Sequence, residues 1–366
     1  MNNLVLYRKY RPQSFSEMIG QEHIVQTLTN SISAKSISHA YLFTGPRGSG
    51  KTTIARLFAK AINCQNLTSF EPCNKCSSCL EIMQSKSMDL IEIDAASHTG
   101  VDDVRELIDG IKFAPVKSKY KIFIIDECHQ LSKSAANALL KTLEEPPSHA
   151  IFLLATTEVH KMIPTIISRC QRFDFKKLQI LEIIKKLEFI LKKENIKFED
   201  TVLSLIAFNS RGSFRDAESL LDKCISFSGK TNTIKTDDIK ELLGIVEVSQ
   251  IAQFVDYLLQ KNIKEAILYL NLMSDSGIDL QEFTKTLVFY LRQSLLLKIN
   301  SDFLNLQNSA LSEKEIEKMR VQIVNLSNKE IQNMLELFIE AENKMKYATI
   351  PQLPLELAIV DITYKE

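Results

Sequence analysis

The chain has 366 residues, 45% of them apolar, and its 45 Lys+Arg balance 45 Asp+Glu for a formal net charge of zero. This length suits two or three domains with real cores and excludes a disordered chain, and neutrality excludes a generally basic nucleic-acid coat though not a local basic face. No apolar run reaches the ~18 residues of a membrane span, and the N-terminus lacks a signal-peptide core. A soluble cytoplasmic protein with no membrane partner is expected.

Short apolar runs fill the first half: Ala40-Tyr-Leu-Phe, Leu90-Ile-Glu-Ile, Lys121-Ile-Phe-Ile-Ile and Ile151-Phe-Leu-Leu-Ala. Helical patterns such as Thr52 to Ile62 separate them. Strands alternating with helix-length crossovers predict an α/β fold with a buried parallel sheet and helices on both faces. From Thr165 to Ile350 there is no proline and only four glycines, as long helices require. The boundaries expected are 1–177 for a nucleotide-binding domain, 178–244 for a small helical domain and 245–366 for an all-α domain. In the last of these, Ile251, Phe254, Val255 and Leu258, and again Ile331, Met334, Leu335 and Phe338, repeat with the spacing of one helix face.

Gly45-Pro46-Arg47-Gly48-Ser49-Gly50-Lys51-Thr52 fits G-x-x-x-x-G-K-[ST] between a strand and a helix. The glycines free backbone N–H groups to curl around phosphates, and the helix N-terminus adds favourable potential. Lys51 would reach the β- and γ-phosphates of ATP, Thr52 would bind Mg²⁺ through its hydroxyl, and Thr53 continues the binding set. The strand Ile122-Phe-Ile-Ile ends in Asp126-Glu127. Asp126 is expected to hold Mg²⁺ and Glu127 to orient or deprotonate the attacking water. A plain glycine turn and helix-capping acids are the bland alternatives, and the flanking strand and helix weigh against both.

Of the seven cysteines, Cys64, Cys73, Cys76 and Cys79 cluster at knuckle-like spacing. Four thiolates suit a closed tetrahedral Zn²⁺ site with no open position, hence a structural metal inserted between the first helix and the strand near Leu90. Cys128, Cys170 and Cys224 read as small buried hydrophobes.

Further segments carry a family resemblance: Tyr7 to His23, Asp94-Ala-Ala-Ser, Asn137 to Pro147, Leu154-Ala-Thr-Thr, Ser168-Arg-Cys and Gly212-Ser-Phe-Arg-Asp-Ala. With the phosphate loop and the cysteine insertion, they resemble the AAA+ clamp-loader ATPases of bacterial DNA polymerase III over roughly residues 4–225. The resemblance implies an AAA+ P-loop module with a zinc-binding insertion, a helical lid domain and an oligomerisation collar. It implies an ATP-hydrolysing motor that loads the sliding clamp onto primed template DNA during replication. Such a chain would be filed with DNA-directed DNA polymerases, as a nucleotidyltransferase subunit, without polymerase chemistry of its own.

The residue roles implied are specific. Arg169 resembles an arginine finger serving a neighbouring subunit, Arg215 the lid sensor of the γ-phosphate, and Thr156 or Thr157 the polar sensor beside the water. Tyr7, Arg11, Pro12, Ile19 and Gly20 resemble the segment packed around adenine and ribose. Ser132, Lys141 and Thr165 are implied contributors to duplex phosphate contacts, whereas His98 stands where the family usually has arginine. Implied partners are the delta and delta prime subunits, further copies of the chain, the clamp and primer-template DNA, in a hetero-oligomeric, pentameric ring. Rival readings are another AAA+ motor, a non-hydrolysing stator subunit and a zinc-dependent DNA-binding module. The cysteine insertion disfavours the first, and the intact phosphate loop disfavours the second.

Overall fold

The computed structural model of the chain describes residues 4–97, 110–111, 113–228, 233–243, 246–300, 313–324 and 326–364. His98 lies outside the described residues. The chain forms two compact units, Met1–Thr233 and Ile234–Glu366.

In the first unit, helix α1 (Leu6–Lys9) and helix α2 (Glu22–Ser33) precede strand β1 (Ala40–Thr44), from which the chain turns into helix α3 (Lys51–Ile62). The cysteine insertion carries helix α4 (Ser77–Met83) and leads to strand β2 (Leu90–Asp94). Strand β3 (Lys121–Asp126), helix α5 (Lys133–Glu144), strand β4 (Ala150–Thr156), helix α6 (Pro164–Ile167) and strand β5 (Gln171–Asp174) complete the α/β layer. Three helices follow: α7 (Ile180–Glu194), α8 (Asp200–Asn209) and α9 (Phe214–Ser228).

The five strands are parallel in the order β2-β3-β4-β1-β5. β1 and β4 are buried along their whole length, so near-continuous apolar sequence is what a sheet covered on both faces selects. One face packs Tyr41, Phe43, Ile122, Ile124 and Leu153 against Ile54 and Phe58 of α3. The other packs Leu42, Phe123, Ile125, Phe152 and Leu154 against Leu139 and Leu143 of α5. Alternate residues of one strand thus feed two cores. Register sets Thr44 beside Thr156 and Asp94 beside Asp126, which brings polar strand ends to one rim.

The second unit is helical: α10 (Thr236–Leu243), α11 (Val248–Leu259), α12 (Ile263–Asp275), α13 (Leu280–Ile299), α14 (Glu313–Ile323), α15 (Asn328–Met345) and α16 (Leu353–Tyr364). Ile251, Phe254, Val255, Leu258, Ile331, Met334 and Phe338 are buried in its core, with Leu335 packed at its edge. Phe254 meets Phe283 and Phe338 edge-on, with ring centroids 5.2 and 6.2 Å away. No helix among the described residues is long and apolar enough to cross a membrane.

Candidate nucleotide site and cysteine centre

The loop between β1 and α3 is held by backbone geometry that side chains would block. Gly48 has φ +73°, and a Cβ there would lie 1.9 Å from Ser213 Oγ, so only glycine lets the loop meet the start of α9. The Gly48 carbonyl also accepts from the Phe214 N–H at 3.2 Å. The loop and the helix carrying Arg215 are therefore in direct contact.

The Lys51 ammonium is buried and donates to the Gly45 and Pro46 carbonyls, both at 2.8 Å. Burial lowers its proton affinity, and Glu127 and Asp126 oppose that shift. Thr52 Oγ1 donates to Asp126 Oδ2 at 2.7 Å, so the hydroxyl and carboxylate expected to share a cation are already adjacent. Ser49 turns inward, its hydroxyl donating to the Pro46 carbonyl at 2.8 Å.

Glu127 occupies the left-handed region at φ +47°, a strained conformation for a residue with a side chain. Its Oε2 accepts from the Thr157 hydroxyl at 2.8 Å and the Thr157 N–H at 3.2 Å. Thr156 is fully buried with its hydroxyl 2.9 Å from His129 Nδ1. His129, whose side chain is 4% exposed, lies 3.4 Å from Glu127 and 3.3 Å from Glu158. Sequence reasoning passed over this histidine, because its only signal was standing three residues after Asp126.

A cavity of about 390 Å³ opens over the loop. Tyr7, Arg11, Pro12, Ile19, Arg47, Gly48, Gly50, Lys51, Thr52, Thr53, Asp126, Glu127 and Arg215 line it together. The expected base-end, phosphate and metal residues thus converge from four separate segments. Gly20 does not line the cavity; a Cβ there would lie 2.8 Å from Leu178, and its place is in packing against the start of α7. Gly45, Pro46 and Ser49 do not line the cavity; the Gly45 and Pro46 carbonyls accept from Lys51, and Ser49 donates to Pro46. Unforeseen lining residues include Asp94, Lys186 and Glu218. Burial pushes the Glu218 carboxyl up to about 7, with Lys186 and Arg11 opposing.

Arg169 does not line this cavity. It follows α6, and its guanidinium donates to Glu144 Oε1 at 2.7 Å and to the Thr165 carbonyl at 3.0 Å. Ser132 caps α5 by accepting from the Ala135 N–H at 3.2 Å, which gives that serine a structural reason to be there. Lys141 and Thr165 are exposed on the same unit.

The Sγ atoms of Cys64, Cys73, Cys76 and Cys79 all lie within 4.8 Å of one another. A tetrahedron with Zn–S bonds of ~2.3 Å has sulfur–sulfur edges of ~3.8 Å. Backbone N–H groups already point at the sulfurs: Cys73 N–H donates to Cys64 Sγ, Cys76 N–H to Cys73 Sγ (both 3.3 Å) and Cys79 N–H to Cys76 Sγ (3.5 Å). The donor set fits a closed four-thiolate metal centre. Cys76→Ser is expected to lose the metal and destabilise the insertion; elemental analysis showing undiminished zinc would contradict four-thiolate ligation. The other cysteines are unreactive in kind: burial pushes Cys170 up to about 12 and Cys224 up to about 11, and Cys128 is fully enclosed beside Met162.

A strand–loop–helix phosphate cradle, an acidic strand end and a helical lid bearing a cavity-lining arginine define the AAA+ class of P-loop ATPases. Family models match along the chain: "DNA polymerase III, delta subunit" over residues 20–179, "DNA polymerase III clamp loader subunit, ATPase lid domain" over 182–230, and "DNA polymerase III subunits gamma and tau domain III" over 234–366. DNA polymerase III subunit gamma of Buchnera aphidicola subsp. Acyrthosiphon pisum is 38% identical over 362 residues, 99% of either chain. DNA polymerase III subunit tau of Bacillus subtilis is 42% identical over 362 residues, 99% of this chain and 63% of that one. The chain thus spans just under two thirds of that longer relative. Among solved structures, the Thermotoga maritima RuvB Holliday junction branch migration motor shares 19% identity at a TM-score of 0.48, covering 74% of this chain and 86% of that one.

The chain belongs to the gamma/tau family of bacterial DNA polymerase III subunits, and so to the clamp-loader ATPases.

Proposed function

We propose that the chain is an ATP-hydrolysing motor subunit of the DNA polymerase III clamp loader, loading the sliding clamp onto primed template DNA. The observation that carries this reading is the convergence of the phosphate loop, the Asp126–Glu127 pair and Arg215 on one cavity in a gamma/tau family member. Lys51 gives up the loop carbonyls for the β- and γ-phosphates, and Thr52 and Asp126 would hold Mg²⁺, which would neutralise phosphate charge. Bound ATP supplies the phosphoryl group. Glu127 orients the attacking water, and Thr157, the threonine that touches Glu127, is the better candidate for the polar sensor.

Arg215 transmits the γ-phosphate's presence to the lid, whose helix already touches the loop at Gly48. Tyr7, Arg11, Pro12 and Ile19 pack the adenine and ribose. Arg169 serves the site of a neighbouring subunit in a pentameric ring containing delta, delta prime and further copies of this chain. Segments 1–177, 178–244 and 245–366 act as nucleotide module, lid and collar, and Cys64, Cys73, Cys76 and Cys79 hold a structural Zn²⁺. Ser132, Lys141 and Thr165 contribute to sequence-independent phosphate contacts with DNA in the cytoplasm.

Lys51→Ala should weaken ATP binding by roughly 100-fold or more, since a buried cation at the phosphates is lost. Titration with a fluorescent ATP analogue measures it, and tight binding by the variant would sink the phosphate-loop assignment. Steady-state hydrolysis with partners, clamp and primed DNA tests the wider reading. Strong stimulation only in the full mixture supports a clamp-loader motor, and high activity indifferent to clamp and primer contradicts it.

A further inference from the structure

Beside the nucleotide cavity lies a second cleft of about 590 Å³, walled by the N-terminal segment, by α3 and by the end of α4 in the cysteine insertion. Its cationic lining residues are Arg8, Arg11, Arg56, Lys60 and Arg215, and among the described residues no aspartate or glutamate lines it. Only Arg56 among them has an ion-pair partner among the described residues, donating from two nitrogens to Glu92 at 2.7 and 2.8 Å. Lys60 is 2% exposed and its ammonium donates to the Gln13 carbonyl at 2.7 Å and Gln13 Oε1 at 3.0 Å, with Cys79, Glu17, Glu71 and Cys64 near enough to support its charge against burial. Arg8 and Arg215 instead lie over the Tyr7 ring, 5.9 and 5.2 Å from its centroid.

The cleft brings like charges close together. Burial lowers the proton affinity of Arg11, and Arg56, Arg215 and Arg8 lower it further, with Glu92 opposing. Glu218, across the nucleotide cavity, also feels the Arg11 charge. Gathering cations in a partly desolvated cleft costs free energy that an anionic ligand would recover. Guanidinium forks with one compact ammonium match phosphate oxygens, and the volume suits a small molecule rather than a nucleic-acid duplex.

We propose that this cleft is a second anion site, separate from the phosphate loop, which takes a small polyphosphate of two or more phosphate groups. The end of α4 with the two residues after it, Ile82 to Ser85, then has a function as the cleft's outer wall, which links the cysteine centre to ligand binding. Tyr7, Arg11, Pro12, Thr53 and Arg215 line both cavities, so an occupant of one alters the charge available to the other.

The test uses inorganic pyrophosphate as the probe, titrated calorimetrically into the full chain and three variants. Lys51→Ala, which disables the phosphate loop, should leave one pyrophosphate site, and adding Arg8→Gln or Arg56→Gln to that background should each weaken this remaining site about 10-fold. Arg8 is exposed, so its replacement does not threaten folding. Binding that disappears in Lys51→Ala would make the cleft a mere extension of the nucleotide site and overturn the proposal. Binding indifferent to both arginine substitutions would overturn it as well. Should Lys51→Ala retain ATP affinity, the phosphate-loop reading fails on its own, because the two arginine variants still decide the second cleft.

Discussion

Arg169→Ala is expected to leave ATP binding by the single chain unchanged while the assembled loader's hydrolysis rate falls by roughly 10³-fold or more. The geometry explains the split. Arg169 is absent from the lining of its own chain's cavity and is held at the surface by Glu144 and the Thr165 carbonyl. Its side chain is 34% exposed, so this surface pair is worth little and can be exchanged for a phosphate across a subunit boundary. A guanidinium supplied in trans stabilises charge only in the transition state of the neighbouring site, so rate is lost and ground-state affinity is kept. Comparing ATP titration of the isolated variant with turnover in the reconstituted complex checks both halves. Unchanged turnover would remove the finger.

Glu127→Gln is expected to retain ATP binding and lower the hydrolysis rate by about 10²–10⁴-fold. The substitution is nearly isosteric and keeps an oxygen able to accept from Thr157, so the loop and the Thr52–Asp126 contact should persist. What it removes is the negative charge proposed to draw a proton from the attacking water. The left-handed backbone at Glu127 falls where β3 turns into the 3-10 turn Cys128–Gln130, and it leaves the carboxylate on Thr157. Single-turnover hydrolysis alongside equilibrium binding makes the comparison. A variant as fast as the unsubstituted chain would pass the role of base to another group, with His129, 3.4 Å from Glu127, the first to examine.

Much of this site is written in contiguous residues. The phosphate loop, the acidic strand end and the four cysteines are local patterns in which spacing reports chemistry, since backbone N–H groups, thiolates and carboxylates must come from particular residue types at short separations. The inner strands β3, β4 and β1 were equally legible, as burial on both faces forces near-continuous apolar sequence, and the edge strand β2 showed through its Leu90-Ile-Glu-Ile run. The fifth, Gln171–Asp174, was not. It is an edge strand in which only Phe173 is buried, so its sequence carries no apolar run.

Strand order, register and long-range side-chain contacts were decided by tertiary structure alone. Nothing local places β1 between β4 and β5, brings Thr157 to Glu127, or brings Ser213 so close to Gly48 that a methyl group would not fit. Nor does composition show that five cations from the N-terminal segment, α3 and α9 share one cleft in a chain of zero net charge. The physical reason is range. Patterning and motif chemistry act through neighbours in sequence, whereas charge accumulation and cavity shape arise from segments that meet only when the cores on the two faces of the sheet close.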